Sequence, residues 1–269
     1  MRPLPVVSLN GSRGAADGPA VPMSPEDLAR SAAQAVAAGA GEVLVHPRTP
    51  CGRESLSPRV VGPVLRALRD AGVGVPLAVP VSVATEPDPA GRVARVRSWT
   101  VLPDRAVVRW TEPGAAELVR ALLLRGIAVD AALPAAEADG PAPWGRELPG
   151  EVRPVLELTG RGTTAVEPTW GGAVGVREAA VLRIGDGDGG PPRWQREPPA
   201  AGWVLFGRDA AAWPAARLAV RWGAVVRTGA GDVLRLPDGR PARSNAELVA
   251  AAREIEHTES RGGPTAASR

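Results

Sequence analysis

The chain has 269 residues, 44% of them hydrophobic, with eight Trp, one Phe, no Tyr and a formal net charge of +3. One α/β barrel of about 250 residues fits that length, and 29 acids set against 32 basic residues leave no basic stripe for nucleic acid. Every basic residue is Arg, which excludes Schiff-base, Walker A and pyridoxal chemistry, and the single Cys excludes an internal disulfide.

In chain order, residues 6–10 form a short β-rich run. A helix then opens at Ser24-Pro25-Glu26-Asp27, where Ser is a good N-cap, Pro suits the first helical position and acids suit the first turn. It stops at Gly39-Ala40-Gly41. Strand 43–46, helix 58–71, strand 75–81, short helix 89–98, strand 105–110, helix 113–125 and strand 127–131 follow. Residues 152–158, 202–206 and 224–227 supply three more strands, helix 209–222 lies between the last two, and helix 244–256 closes the order.

This alternation predicts parallel βαβ units, and eight strands favour a (β/α)₈ TIM barrel as one domain over residues 1–257. No Gly-x-Gly-x-x-Gly follows the first strand, which counts against a dinucleotide-binding sheet. Segments around 134–150 and 160–200 are dense in Gly and Pro and predict irregular structure without a full crossover helix. Within the second, Gly185-Asp186-Gly187-Asp188-Gly189-Gly190 lacks the spacing and closing Glu of a calcium loop. The tail 258–269 is small and polar and predicts disorder. The N-terminus lacks a leader pattern and no apolar run nears the roughly 18 residues of a membrane span, so a cytoplasmic protein without membrane or nucleic-acid partners is expected.

One of only two histidines, His46, ends the apolar run Val43-Leu44-Val45 and enters the loop Pro47-Arg48-Thr49-Pro50-Cys51-Gly52-Arg53. A ligand-capable residue at a strand end is how a barrel presents chemistry. A strand-end imidazole satisfied by backbone is the plain alternative. Asp232 could act as a general base or be a turn acid. Arg227 could bind a carboxylate or phosphate, or pair with Asp232 or another barrel acid, and Arg48 with Arg53 could form an anion pocket or be solvated charge. Asn10 and Ser82, at the ends of strands one and three, complete the expected substrate contacts with Arg48.

The stretches Gly39-Ala40, the strand ending in His46, Arg48, Gly52-Arg53-Glu54-Ser55, Arg227-Thr228-Gly229-Ala230-Gly231-Asp232 and Leu236-Pro237-Asp238-Gly239-Arg240-Pro241 resemble the β-keto acid cleavage enzyme family, also called 3-keto-5-aminohexanoate cleavage enzymes. The resemblance continues through Ala242-Arg243-Ser244-Asn245-Ala246-Glu247-Leu248-Val249 and is faint between about 134 and 200. It implies a TIM barrel, usually a homo-oligomer, with a divalent metal, generally zinc. The implied activity is that of an acyltransferase: a β-keto acid and acetyl-CoA give acetoacetate and a new acyl-CoA by metal-assisted C–C cleavage.

The family's metal ligands are a His-x-His at the end of strand two and a Glu in a Gly-Leu-Glu-Asp turn after strand eight. The resemblance places the second His on His46, a substrate-binding Arg on Arg227 and the acid/base Asp on Asp232. The first His falls on Leu44 and the metal-binding Glu on Gly231, neither of which can coordinate through a side chain. Arg13 stands where the family has an acid, and Arg109 where it has Asn. Pro80-Val81-Ser82 replaces a Ser/Thr-rich turn. A weaker zinc site from His46, Cys51 and Asp232 is conceivable; His257 lies too near the tail to help. Two functions stay open: an enzyme of this type with a weakened metal site, or a degenerate, inactive barrel that binds anions or acyl groups or serves as a subunit. On ligand count, Leu44→His with Gly231→Glu is expected to restore metal affinity.

Overall fold

Period-two alternation gives each apolar run one face toward a barrel interior and one toward surrounding helices. The computed structural model, which describes residues 3–134, 152–158 and 202–262, has eight parallel strands closed in sequence order. They are β1 (Val6–Ser8), β2 (Glu42–Leu44), β3 (Leu77–Val81), β4 (Arg105–Arg109), β5 (Ala128–Pro134), β6 (Val152–Leu158), β7 (Val204–Gly207) and β8 (Val225–Thr228). Pairing of Val6 with both Glu42 and Arg227 closes the ring. The (β/α)₈ expectation therefore holds. Most of the irregular segments around 134–150 and 160–200, including the Gly-Asp run, lie outside the described residues.

Among the described residues the helices are α1 (Pro25–Ala37), α2 (Pro58–Asp70), α3 (Pro89–Ser98), α4 (Ala115–Leu123) and α5 (Ala212–Trp222) between strands, and α6 (Asn245–Gly262) after β8. Ser24 caps α1 as its sequence predicts, accepting from the Asp27 amide at 3.1 Å. Asp88 caps α3 through the Ala90 and Gly91 amides. The helices bury Leu28, Val61, Leu65, Leu118 and Val249 against outward strand residues such as Val7, Val43, Val79 and Val129. A second group around Ala215, Ala219 and Leu248 covers Leu156, Leu205 and Val226. No described helix is long and apolar enough to cross a membrane.

Boundaries differ from the sequence reading in two informative places. Strand one ends at Ser8 rather than Asn10, because Asn10 leaves the ladder and pairs through its side chain. The last helix runs on to Gly262, past Thr258 where the tail was expected to begin. Thr258 Oγ1 donates to the Glu254 carbonyl, and Glu259 takes Arg217 and Arg221, which carries the helix into its final turn.

Inside the barrel, Val6, Leu44, Ala78, Val155, Val204 and Val225 form an apolar layer. Beneath it, at the N-terminal ends of the strands, Arg153 donates to both Glu42 oxygens at 2.8 and 2.9 Å and to Asp130 at 2.6 and 2.9 Å. Arg105 donates to Asp130 at 2.6 and 2.9 Å. Two cations and two acids close the bottom as a neutral plug. Burial pushes the Glu42 carboxyl upward while Arg153 pulls it back. An interior cavity bounded by Glu42, Asp130, Arg153, Leu44 and Arg227 measures about 10 Å³, room for one water.

Candidate functional site

At the C-terminal face, β1 and β2 are joined beyond their ends by a side chain. Asn10 Oδ1 accepts from the His46 amide and Asn10 Nδ2 donates to the His46 carbonyl, both at 3.0 Å. This imitates one more step of the ladder and fixes where His46 projects. Asn10, expected to touch substrate, thus has both ends of its amide bonded to main chain. Among the described residues, the buried His46 has no partner for its Nδ1, and Ser8 Oγ on the neighbouring strand β1 is buried without one too. Burial first, then Arg227, Arg208 and Arg48, push the His46 pKa down to about 3, so the ring is neutral and keeps a proton donor and an acceptor to offer.

That depression sets a pH window. The folded pKa lies below the ordinary 6.5, so on acidification the unfolded chain takes up a proton that the folded chain does not. Stability present above 6.5 is lost progressively as pH falls toward 3. The His46 ring resonances are expected to stay unmoved from about pH 7 to about pH 5. A midpoint near the ordinary value would show the ring to be solvated and the arginines to be elsewhere.

The turn after β8 packs against β1 without spare space. The Gly231 amide donates to the Ser8 carbonyl at 2.9 Å. A Cβ on Gly231 would overlap Ser8 Oγ and lie 2.7 Å from the Gly11 nitrogen, and a Cβ on Gly11, whose φ is +54°, would lie 2.7 Å from Gly231 Cα. Asp232, fully buried, accepts from Arg227 Nε at 2.9 Å and Nη2 at 2.7 Å in a bidentate pair. The Arg227 guanidinium lies 3.6 Å from the centre of the Phe206 ring. The pairing that the sequence left as one option for these two residues is the arrangement adopted.

Across the mouth, Glu157 at the end of β6 accepts from Arg208 Nε at 2.8 Å and from Arg109 Nη2 at 3.1 Å. Burial works against ionising Glu157, but the two guanidiniums hold its carboxyl below the usual range. Arg208 sits 5.9 Å from the Phe206 centroid. The next residue, Asp209, turns with a φ of +48° and its amide bonds to the Asp232 carbonyl, so the chain after Arg208 is tied to the β8 turn. Arg13 reaches both Asp209, at 2.5 Å, and the Asp232 carbonyl.

Glu157, Phe206 and Arg208 were not singled out from the sequence. Their signal is a charged or aromatic residue at inward positions of β6 and β7 and at the residue just past β7. Arg48 is a brace, donating to the Gly11 and Gly52 carbonyls at 2.6 and 2.7 Å beside Glu54. Ser82 follows β3 at the rim. Cys51 is exposed in the β2 loop, where its hydrogen bond to Thr49 and then Arg53 bring its pKa down to about 7.

A model of the beta-keto acid cleavage enzyme family matches residues 6–118 and 150–267. The chain belongs to the β-keto acid cleavage enzyme family. Among solved structures, a ternary complex of ObcA with a C4-CoA adduct and oxalate matches with a TM-score of 0.63 at 15% identity, covering 91% of this chain and 65% of that one. Apo ObcA matches with 0.60 at 15%, covering 91% and 63%. The 3-dehydroquinate dehydratase from Aquifex aeolicus VF5 matches with 0.52 at 11%, covering 95% and 98%. At those identities the likeness establishes the barrel, and the chain spans just under two thirds of the ObcA chains. No curated protein sequence matches.

β-Keto acid cleavage enzymes imply a metal, and the described residues do not fit one. Among the described residues no group of three His, Cys, Asp or Glu side chains could hold an ion. Leu44 belongs to the apolar interior, the Gly231 position has no room for a side chain, and Asp232 is committed to Arg227. Cys51 does not join His46 and Asp232, which removes the three-residue zinc alternative. A dication at His46 would also face the charges of Arg227, Arg208 and Arg48.

Proposed function

We propose that this β-keto acid cleavage family member binds a small carboxylate of the β-keto acid class across its barrel mouth without a metal. Its acetyl-CoA-dependent cleavage is then far slower than that of a three-ligand barrel, because polarising the keto oxygen by a metal is worth several kcal/mol. The observation that carries this reading is the close packing of Gly231 on Ser8 and Gly11, which leaves no space for the missing ligand, beside a neutral His46 ringed by guanidiniums. Nδ1 of His46 and Oγ of Ser8, unpartnered among the described residues, suit a carboxylate together with the remaining N–H groups of Arg227. ObcA, solved with a C4-CoA adduct and oxalate, supports small carboxylates and acyl-CoA as ligand classes for this barrel.

The test is calorimetric binding of acetoacetate and butyrate in the presence of EDTA, with metal analysis and acetyl-CoA turnover on the same preparation. Binding that survives chelation, with zinc well below stoichiometric and turnover near background, is expected. Arg227→Gln should weaken binding by roughly tenfold or more, the worth of a charge-assisted pair. Near-stoichiometric zinc with ordinary turnover of a β-keto acid would overturn the proposal.

A further inference from the structure

We infer that Arg109 and Arg208, held on either side of Glu157, form a second anion subsite, and that the ligand class this mouth selects is a short α,ω-dicarboxylate. The inference rests on the carboxylate-binding reading above and adds what occupies the other end of the ligand. Among the described residues Arg109, Arg208 and Arg227 stand against Glu157 and Asp232, the latter also acting on Arg208, so the cluster carries one positive charge in excess. The Glu157 side chain is 7% exposed, whereas those of Arg109 and Arg208 are 37% and 42% exposed. The acid is the buried anchor and the cations form the accessible face.

Each guanidinium gives Glu157 one N–H: Nη2 of Arg109 and Nε of Arg208. Nε and Nη1 of Arg109 and both Nη of Arg208 have no partner among the described residues. Most exposed arginines are flexible, solvated charge. These two differ because Arg109 ends β4 and points inward to Glu157, while Arg208 is pinned by Glu157, by the Phe206 ring and by the Asp209 turn tied to Asp232. A guanidinium already held in place loses less entropy when it takes a ligand.

The spacing suits one molecule with two acidic ends. Arg227 and Arg208 share the Phe206 ring, 3.6 and 5.9 Å from its centre, so their guanidinium carbons cannot be further apart than the sum of those distances. Below them the interior admits one water. A ligand whose first carboxylate sits at His46, Ser8 and Arg227 therefore extends sideways, over Phe206, toward Arg109 and Arg208. A monoacid of equal length leaves those two cations to water.

Calorimetry with glutarate and butyrate, which differ by one terminal carboxylate, reads this directly. Glutarate is expected to bind at least roughly tenfold tighter than butyrate at low salt. In Arg208→Gln that ratio should fall toward one, and in Arg208→Lys it should be partly kept. Glu157 keeps Arg109 in the glutamine variant, and a thermal melt confirms that it is folded. A ratio near one in the unmodified chain, or one unchanged in Arg208→Gln, overturns the second subsite while leaving carboxylate binding intact. Failure of both acids to bind overturns the carboxylate-binding reading and the second subsite with it.

Discussion

Gly231→Glu, alone or with Leu44→His, is expected to destabilise the barrel and to bring no gain in zinc affinity. Ligand count alone predicts a rescue, since the pair restores the His and Glu that the family uses. Packing decides otherwise. The first atom of any side chain at 231 would overlap Ser8 Oγ and press on the Gly11 backbone, and neither neighbour is the flexible end of a long side chain. Gly231→Ala is the cleanest form of the test, because it adds that one atom. Overpacking of this kind costs about 1–3 kcal/mol, and Glu adds a carboxylate that must be buried beside the Arg227–Asp232 pair. Urea denaturation checks the first point and zinc titration of the double variant the second. A stable Gly231→Ala protein with unchanged midpoint would mean that β1 can withdraw and the ligand position can be reopened.

The barrel was legible because its signals are local and repeated. Apolar runs such as Val43-Leu44-Val45 and Val204-Leu205-Phe206, helix starts such as Ser24-Pro25 and the glycine stop after α1 each specify an element regardless of what lies across the molecule. The bottom plug was not legible: Glu42 reads as the polar residue before a strand until β5 and β6 bring Asp130 and Arg153 beside it. Strand one was read too long for the same reason. Asn10 continues the alternation of its run, and only the partner strand shows that its side chain, rather than its backbone, makes the next link.

The site divides along similar lines. His46, Arg227 and Asp232 stand out as polar residues at strand ends, and the first lies among three guanidiniums that include the second. Their roles depended on distance, and distance turned the Arg227 and Asp232 candidates into a mutual pair. Arg48 changed from anion pocket to brace because Gly11 and Gly52 carbonyls lie within its reach. Arg208 and Glu157 escaped notice because an Arg after an apolar run and a Glu within one are common. What makes them a unit is that β6 and β7 are neighbours, with Arg109 of β4 reaching the same carboxylate.

The largest single loss of stability is expected from Asp232→Ala. Asp232 is fully buried and takes two hydrogen bonds from Arg227, whose own side chain is 6% exposed. Removing the acid leaves a guanidinium out of water with no counter-charge, and Phe206 replaces only part of that loss. Breaking a buried pair in this way costs about 3–5 kcal/mol, on the order of 10 °C in Tm for a chain of this size. Asp232→Asn should fall between, since it can still accept one of the two bonds. The pair itself is a different matter: Arg227→Met with Asp232→Leu removes both charges together and is expected to recover much of the lost stability, because desolvation opposes the pair as strongly as Coulomb attraction favours it. The same double variant must lose carboxylate binding, for Arg227 supplies the cation whose charge acts most strongly on His46. If it regains stability and still binds butyrate with unchanged affinity, Arg227 serves only to hold the β8 turn, and the cations that attract the ligand are Arg109 and Arg208 alone.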